Sequence, residues 1–190
     1  VSNSNNNKYV INAIPLQVND APRYPWRGLL LDTSNHYLSV KSIKKQVNAM
    51  AAAKMNVLHW HIIDSYSFPL ESESHPDLIE GAWQVQNRKY TYSNNDVSEI
   101  VDFANDRGVR VMMEMDMPGH AWSWGVSETY KDIITSCPNY VDELGYVDDV
   151  PLDVTNPQAV QVALDIWTDI LSTGSGTRSD PLVPDKFVHI

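Results

Sequence analysis

Three short apolar runs punctuate the chain, and the segments between them repeat apolar residues every three or four positions. Leu29-Leu30-Leu31, behind Arg27-Gly28, is the first run, Asn56–Ile63 (NVLHWHII) the second and Val109–Met115 (VRVMMEM) the third. Short, nearly unbroken apolar runs of this kind suit strands buried on both faces of a parallel sheet. Between the first two, Val40, Ile43, Val47, Met50 and Ala51 trace one face of a helix. Between the second and third, Ser93 and Asp96 have the spacing of a capping box, Val97, Ile100, Val101 and Ala104 line a helix face, and Gly108 stops it. Later, Asn156 caps a helix with Pro157 at its first position and an apolar stripe of Val160, Leu164, Trp167 and Leu171. A Gly/Ser/Pro loop from Gly174 to Pro184 then leads into Lys186–Ile190 (KFVHI), a fourth strand. Strand–helix alternation of this order implies parallel strands with right-handed crossovers, in an open doubly wound sheet or in part of a (β/α)8 barrel. No Gly-rich phosphate loop follows the first strand, where DTSNHYL stands instead, so a nucleotide site is disfavoured.

The polar residues that stand out come just after the strands. Asp32, Asn35 and His36 follow the first, Asp64 follows the second, and Glu114, Asp116 and His120 close or follow the third. In parallel α/β folds these are the carboxyl ends, where barrel enzymes assemble their sites. A single polar residue there would mean little, because loops are polar anyway; three successive strands each delivering a carboxylate point to a site. His59 and His61 share one face of their strand and, with Asp64, could bind a metal, but two hydrogen-bonded interior histidines are the commoner case and no metal is expected. Trp60, Tyr66, Phe68, Trp83, Trp122 and Trp124 cluster near the same loops, either to stack on sugar faces or to pack the loops on the sheet.

Composition narrows the functional classes. The chain has 190 residues and a net charge of -10, with no basic stripe, which excludes a nucleic-acid footprint. No apolar run reaches the roughly 20 residues of a membrane span. Acidity also suits an acidic compartment. Cys137 is the only cysteine, either an unpaired thiol or half of a disulfide with a partner outside this sequence. Residues 1–25 have little periodicity and end in prolines, so they read as a linker or the tail of a preceding domain, with 26–190 as the organised unit.

These runs carry a specific resemblance. Arg27–Leu38 (RGLLLDTSNHYL), Met50–Pro69 (MAAAKMNVLHWHIIDSYSFP) with Glu71-Ser72, and Arg107–Trp124 (RGVRVMMEMDMPGHAWSW) resemble, in order and spacing, the family 20 β-N-acetylhexosaminidases. The resemblance implies an α/β fold, a (β/α)8 TIM barrel of which about the first four strands are present, with 26–190 as the N-terminal half of the catalytic domain. It also implies removal of terminal β-linked GlcNAc or GalNAc by substrate-assisted retaining catalysis, in which the substrate's own acetamido oxygen attacks the anomeric carbon. In that scheme an Asp-Glu pair following the fourth strand does the chemistry, and the chain stops before it. Asp64 and His120 would form a relay supporting the Glu, while Asn35, Glu114 and Asp116 would stand at the substrate.

Further implications are no cofactor, glycans ending in N-acetylhexosamine as partners, a lysosomal or secreted location, and a full-length parent compatible with a homodimer. Cys137 in TSCPNY resembles a family cysteine paired with one further along the parent. The chain departs from the family pattern at Asn35, where an Arg is usual; an Asn has two amide hydrogens instead of a charged five-donor fork. Two rival readings follow: a carbohydrate-binding pseudoenzyme without catalysis, and a metal-dependent hydrolase built on His59, His61 and Asp64. On its own the 190-residue chain is expected to be inactive and prone to self-association, because four strands cannot close a barrel.

Overall fold

A computed structural model of the chain describes residues 2–4, 8–10, 14–136, 150–171, 181–184 and 187–190. Two short antiparallel strands, β1 (Ser2–Ser4) and β2 (Lys8–Val10), occupy the stretch whose sequence shows little periodicity. The central sheet is parallel, in the order β3 (Gly28–Asp32), β4 (Val57–Ile63), β7 (Arg110–Met115). Asn56 sets the register of the first pair: its side chain accepts from the Arg27 amide at 2.9 Å, and its own amide donates to the Arg27 carbonyl at 2.9 Å. Seven successive residues of β4 include five with no more than a trace of exposure, as a strand covered on both faces requires.

The helices α1 (Val40–Ala52) and α2 (Asn94–Asn105) lie where the periodicity places them, burying Ile43, Val47 and Met50 from one and Val97, Ile100, Val101 and Ala104 from the other. Ser39 caps α1, and Ser93 with Asp96 forms the expected capping box at α2. Both helices end alike. At α2, Gly108 has φ 70° and the Val109 amide reaches back to the Ala104 carbonyl at 3.0 Å; at α1, Lys54 takes the same place with φ 57°, and Met55 reaches Met50 at 2.8 Å. This is the Schellman closure, in which glycine is the unstrained choice and lysine is not.

The connection from Asp64 to Tyr92 has structure of its own: it holds a 3-10 turn at Pro76–Gly81 and a hairpin, β5 (Trp83–Val85) with β6 (Arg88–Tyr90). Gln86 and Asn87 both have positive φ, the two-residue turn that matches strand twist, but Gln is an unusual residue for its first position and hid it. In α3 (Pro157–Leu171), capped by Asn156 at 2.9 Å, the buried stripe is Ala159, Val162, Ile166 and Ile170. Val160, Leu164 and Leu171 are instead exposed, Leu164 by 56%. This helix is apolar on two faces, so periodicity alone cannot say which face meets the sheet. The outward face, with Met117, Pro118, Leu152 and Ile190, lines an apolar groove of about 230 Å³. Lastly, the fourth strand is present among the described residues only as a bridge between His189 and Glu114, parallel to β7. Cys137 lies outside the described residues.

The loops after β4 and β7 interlock over the carboxyl ends of the sheet. Phe68 packs edge-on against Trp124 at 4.9 Å, and Trp60 against Tyr92 at 5.2 Å, all four fully buried. Gly81 lies so close to the main chain of Ser123 that a Cβ there would come within 2.1 Å of its carbonyl oxygen. The Ser123 hydroxyl in turn donates to the Asp64 carbonyl at 2.6 Å. Burial pushes the Tyr92 hydroxyl well above its ordinary pKa, and that hydroxyl donates to the Leu38 carbonyl and accepts from the Leu38 amide, tying down the loop after β3.

Candidate active site

The five residues that the resemblance places in the site, Asp64, His120, Asn35, Glu114 and Asp116, come together at the carboxyl ends of β3, β4 and β7. Asp64, one residue past β4, is buried, with 8% of its surface exposed. One of its oxygens accepts from the Ser65 amide and the other from the Asn35 side chain at 3.2 Å. Asp116 follows β7 directly, its amide bonded to the Ile63 carbonyl at 3.0 Å, which holds the ends of β4 and β7 level. His120 is half exposed and bonds Asp116 Oδ2 through Nδ1 at 3.0 Å. One side-chain polar atom from each of Asp64, Asp116 and His120 lies within 4.8 Å of the other two. His120 has φ 52°, a left-handed backbone that costs a non-glycine residue about 1 kcal/mol.

Asn35 sits at the exposed rim of the loop after β3. Its amide nitrogen contacts two carboxylates, Asp32 Oδ2 at 2.6 Å and Asp64 Oδ2 at 3.2 Å. Asp32 also accepts from the amides of Ser34 and Asn35 at 2.9 and 3.0 Å, a turn that presents the Asn35 side chain to the neighbouring strand end.

Asp32 and His61 are members of the site that attention to single motifs understates. His61 lies between two carboxylates, Nδ1 3.6 Å from Asp32 and Nε2 3.6 Å from Asp116. Hydrogen bonds join Asp64, Asn35 and Asp32 on one side and Asp116 and His120 on the other; His61 lies between the two groups, its buried Nε2 without a hydrogen-bond partner among the described residues. The sequence clue was the alternation in β4, which puts His59 and His61 on one face beside Glu114. Glu114, buried on β7, contacts His59 and lies 3.3 Å from His189. The metal set of His59, His61 and Asp64 is not assembled: His59 groups with Glu114 and His189, His61 with Glu114 and Asp116, and Asp64 with Asp116 and His120.

His36 turns away from these groups to meet the edge of Trp83 at 6.0 Å. Among the aromatic residues, Trp60, Phe68 and Trp124 belong to the core, whereas Tyr66 and Trp122 are exposed by 47% and 38%. Chemically, the arrangement is a set of carboxylates and imidazoles at one sheet end, suited to holding and moving a proton.

Comparison with known proteins fits this geometry. Residues 24–190 match the catalytic domain of Glycosyl hydrolase family 20. Beta-hexosaminidase subunit B1 of Dictyostelium discoideum is 39% identical over 183 residues, covering 91% of this chain and 30% of the relative. The Homo sapiens beta-hexosaminidase subunit beta is 40% identical over 175 residues, covering 90% of this chain and 28% of the relative. Among solved structures, the β-N-acetylhexosaminidase of Streptomyces coelicolor matches with a TM-score of 0.72 at 30% identity, over 90% of this chain and 33% of that one. The exo-β-N-acetylglucosaminidase of Vibrio harveyi, in complex with N-acetylglucosamine, matches with a TM-score of 0.75 at 26% identity, over 90% and 28%. The chain thus spans about 30% of the length of the curated relatives it matches. The α/β fold expected from the alternation of elements is the opening part of the barrel these structures share.

Proposed function

The chain belongs to glycosyl hydrolase family 20, and on that premise we propose that it is part of an enzyme releasing terminal β-linked N-acetylhexosamine from glycans by substrate-assisted retaining catalysis. The observation that carries this reading is the meeting of Asp64, Asp116 and His120 within 4.8 Å at the carboxyl ends of adjacent strands. In the proposed mechanism the acetamido oxygen of the sugar attacks its own anomeric carbon, and a Glu elsewhere in the parent protein protonates the departing oxygen. Asp64 and His120 form a relay towards that Glu, since an imidazole near carboxylates can hold a proton at the start and stabilise the charge left after its transfer. Asp116 orients His120 through its 3.0 Å bond, and Glu114 braces the floor of the site between His59 and His189. Asn35, at the rim, offers its amide oxygen to a sugar hydroxyl. No cofactor enters this scheme.

The 190 residues by themselves do not cleave the substrate in this reading, because the described sheet has three hydrogen-bonded strands and one bridge instead of a closed barrel. Two of the relatives are named as subunits, which supports assembly of the full-length protein with further chains. A net charge of -10 suits work in an acidic lysosomal or extracellular setting. Among the described residues, no helix is long and apolar enough to cross a membrane.

The test is to express the full-length reading frame and measure release of an aryl alcohol from its β-N-acetylglucosaminide and β-N-acetylgalactosaminide. Turnover of either supports the proposal. Binding of N-acetylglucosamine without turnover would support the second reading, a carbohydrate-binding pseudoenzyme, which gains weight from Asn35 giving its amide hydrogens to protein carboxylates.

A further inference from the structure

The amide group of Asn35 links the carboxylates at the ends of β3 and β4. It is 2.6 Å from Asp32 Oδ2 and 3.2 Å from Asp64 Oδ2. A carboxamide nitrogen carries two hydrogens, and an ionised carboxylate only accepts, so both donors are committed to the protein. Asp64 has 8% of its surface exposed and so has little access to solvent donors; its other oxygen faces the Ser65 amide. A buried carboxylate needs donors to hold its orientation, and losing one leaves a desolvated acceptor. The turn after Asp32 delivers the Asn35 amide to this place, because Asp32 Oδ1 accepts from the Ser34 and Asn35 main-chain amides.

We infer that Asn35 is a positioning residue for the proton relay, acting through Asp64 rather than chiefly through the sugar. This rests on the reading of Asp64 as part of the relay. A residue holding sugar hydroxyls changes KM; one that keeps Asp64 aimed at His120 changes kcat, because the relay matters only as the proton moves. Replacement with an isosteric carboxylate separates the two roles. Asn35→Asp keeps the shape and the accepting oxygen, loses both donors and puts a third negative group against Asp32 and Asp64.

The experiment uses the full-length protein with Asn35→Ala and Asn35→Asp, measured in two ways. With an aryl β-N-acetylglucosaminide, both variants are expected to lose roughly 10- to 100-fold in kcat with KM changed less than about threefold, the size of a lost hydrogen bond to a charged group. Asn35→Asp is expected to be at least as impaired as Asn35→Ala. Independently of turnover, melting temperatures should show Asn35→Asp destabilised at pH 7 and recovering towards wild type at about pH 4, as the introduced carboxyl protonates. A KM increase at unchanged kcat, or full activity of Asn35→Asp, would overturn the inference. If the wild-type protein turns over nothing, the functional reading fails, and the melting data still decide whether Asn35 holds the two carboxylates together: a pH-independent difference between Asn35→Asp and wild type excludes it.

Discussion

His75 and Asp165 lie 90 residues apart in the chain and meet at 3.0 Å, imidazole Nε2 to carboxylate oxygen. A carboxylate only accepts, so Nε2 donates, and in the neutral ring Nδ1 then accepts the Tyr130 hydroxyl at 2.9 Å. Beside this pair, Ser74 donates to Asp169 at 2.7 Å, so the loop after β4 is tied to α3 through two successive turns of that helix.

The pH dependence of this tie follows from Asp165. Its bond to His75, and then that to Gln161, hold the carboxyl below its ordinary value of 3.8. A depressed folded-state pKa contributes stability that is present above the ordinary value and lost as pH falls through the folded one. In the full-length protein, His75→Phe should therefore melt below wild type at neutral pH, with the gap closing below about pH 4. Melts recorded between pH 7 and pH 3 check this; a gap of constant size over that range counts against it.

Lys54 pays for its left-handed backbone where Gly108 does not. Lys54→Gly is expected to stabilise the protein by about 1 kcal/mol. The exposed ion pair it gives up with Asp20 offsets little of that. Urea unfolding of the two proteins measures the difference, and a lower midpoint for the glycine variant would show that the pair matters more than the backbone.

The two apolar faces of α3 make opposite predictions. Ile166→Ala removes a fully buried side chain and should cost about 2–5 kcal/mol, whereas Leu164→Ala in the 190-residue chain should stay within about 0.5 kcal/mol. Leu164→Lys on the same chain should reduce self-association, because it charges the exposed groove. Sedimentation velocity reads this directly. Equal association of wild type and Leu164→Lys would mean that contacts form elsewhere.

If Asp64 and His120 act as one relay, their substitutions do not multiply. In the full-length enzyme, Asp64→Asn and His120→Gln should each lower kcat about 100-fold, and the double variant little further. Independent, multiplying losses would separate the two residues functionally.

The sequence carried the sheet order and the placement of α1 and α2, because caps, period and apolar runs agree there. Gly108 announced its own turn, but Lys54 could not, since nothing in a lysine signals positive φ. The hidden hairpin at Gln86 and Asn87 and the misjudged face of α3 share one cause: the deciding contacts come from distant parts of the chain. The site was legible as a list of strand-end residues, with Asp64, Asp116 and His120 among them. Its wiring was not. That Asn35 reaches Asp64, and that His61 faces both Asp32 and Asp116, depends on how neighbouring strands are aligned, which no single stretch of sequence specifies.

The contact of Gly81 with Ser123 limits how this site can diverge. Any side chain at position 81 would push the Ser123 main chain aside, and with it the hydroxyl that grips the backbone of Asp64. The segments after the second and third central strands must therefore change in concert, and a lineage that exchanged one of them alone would loosen the main-chain hold on Asp64.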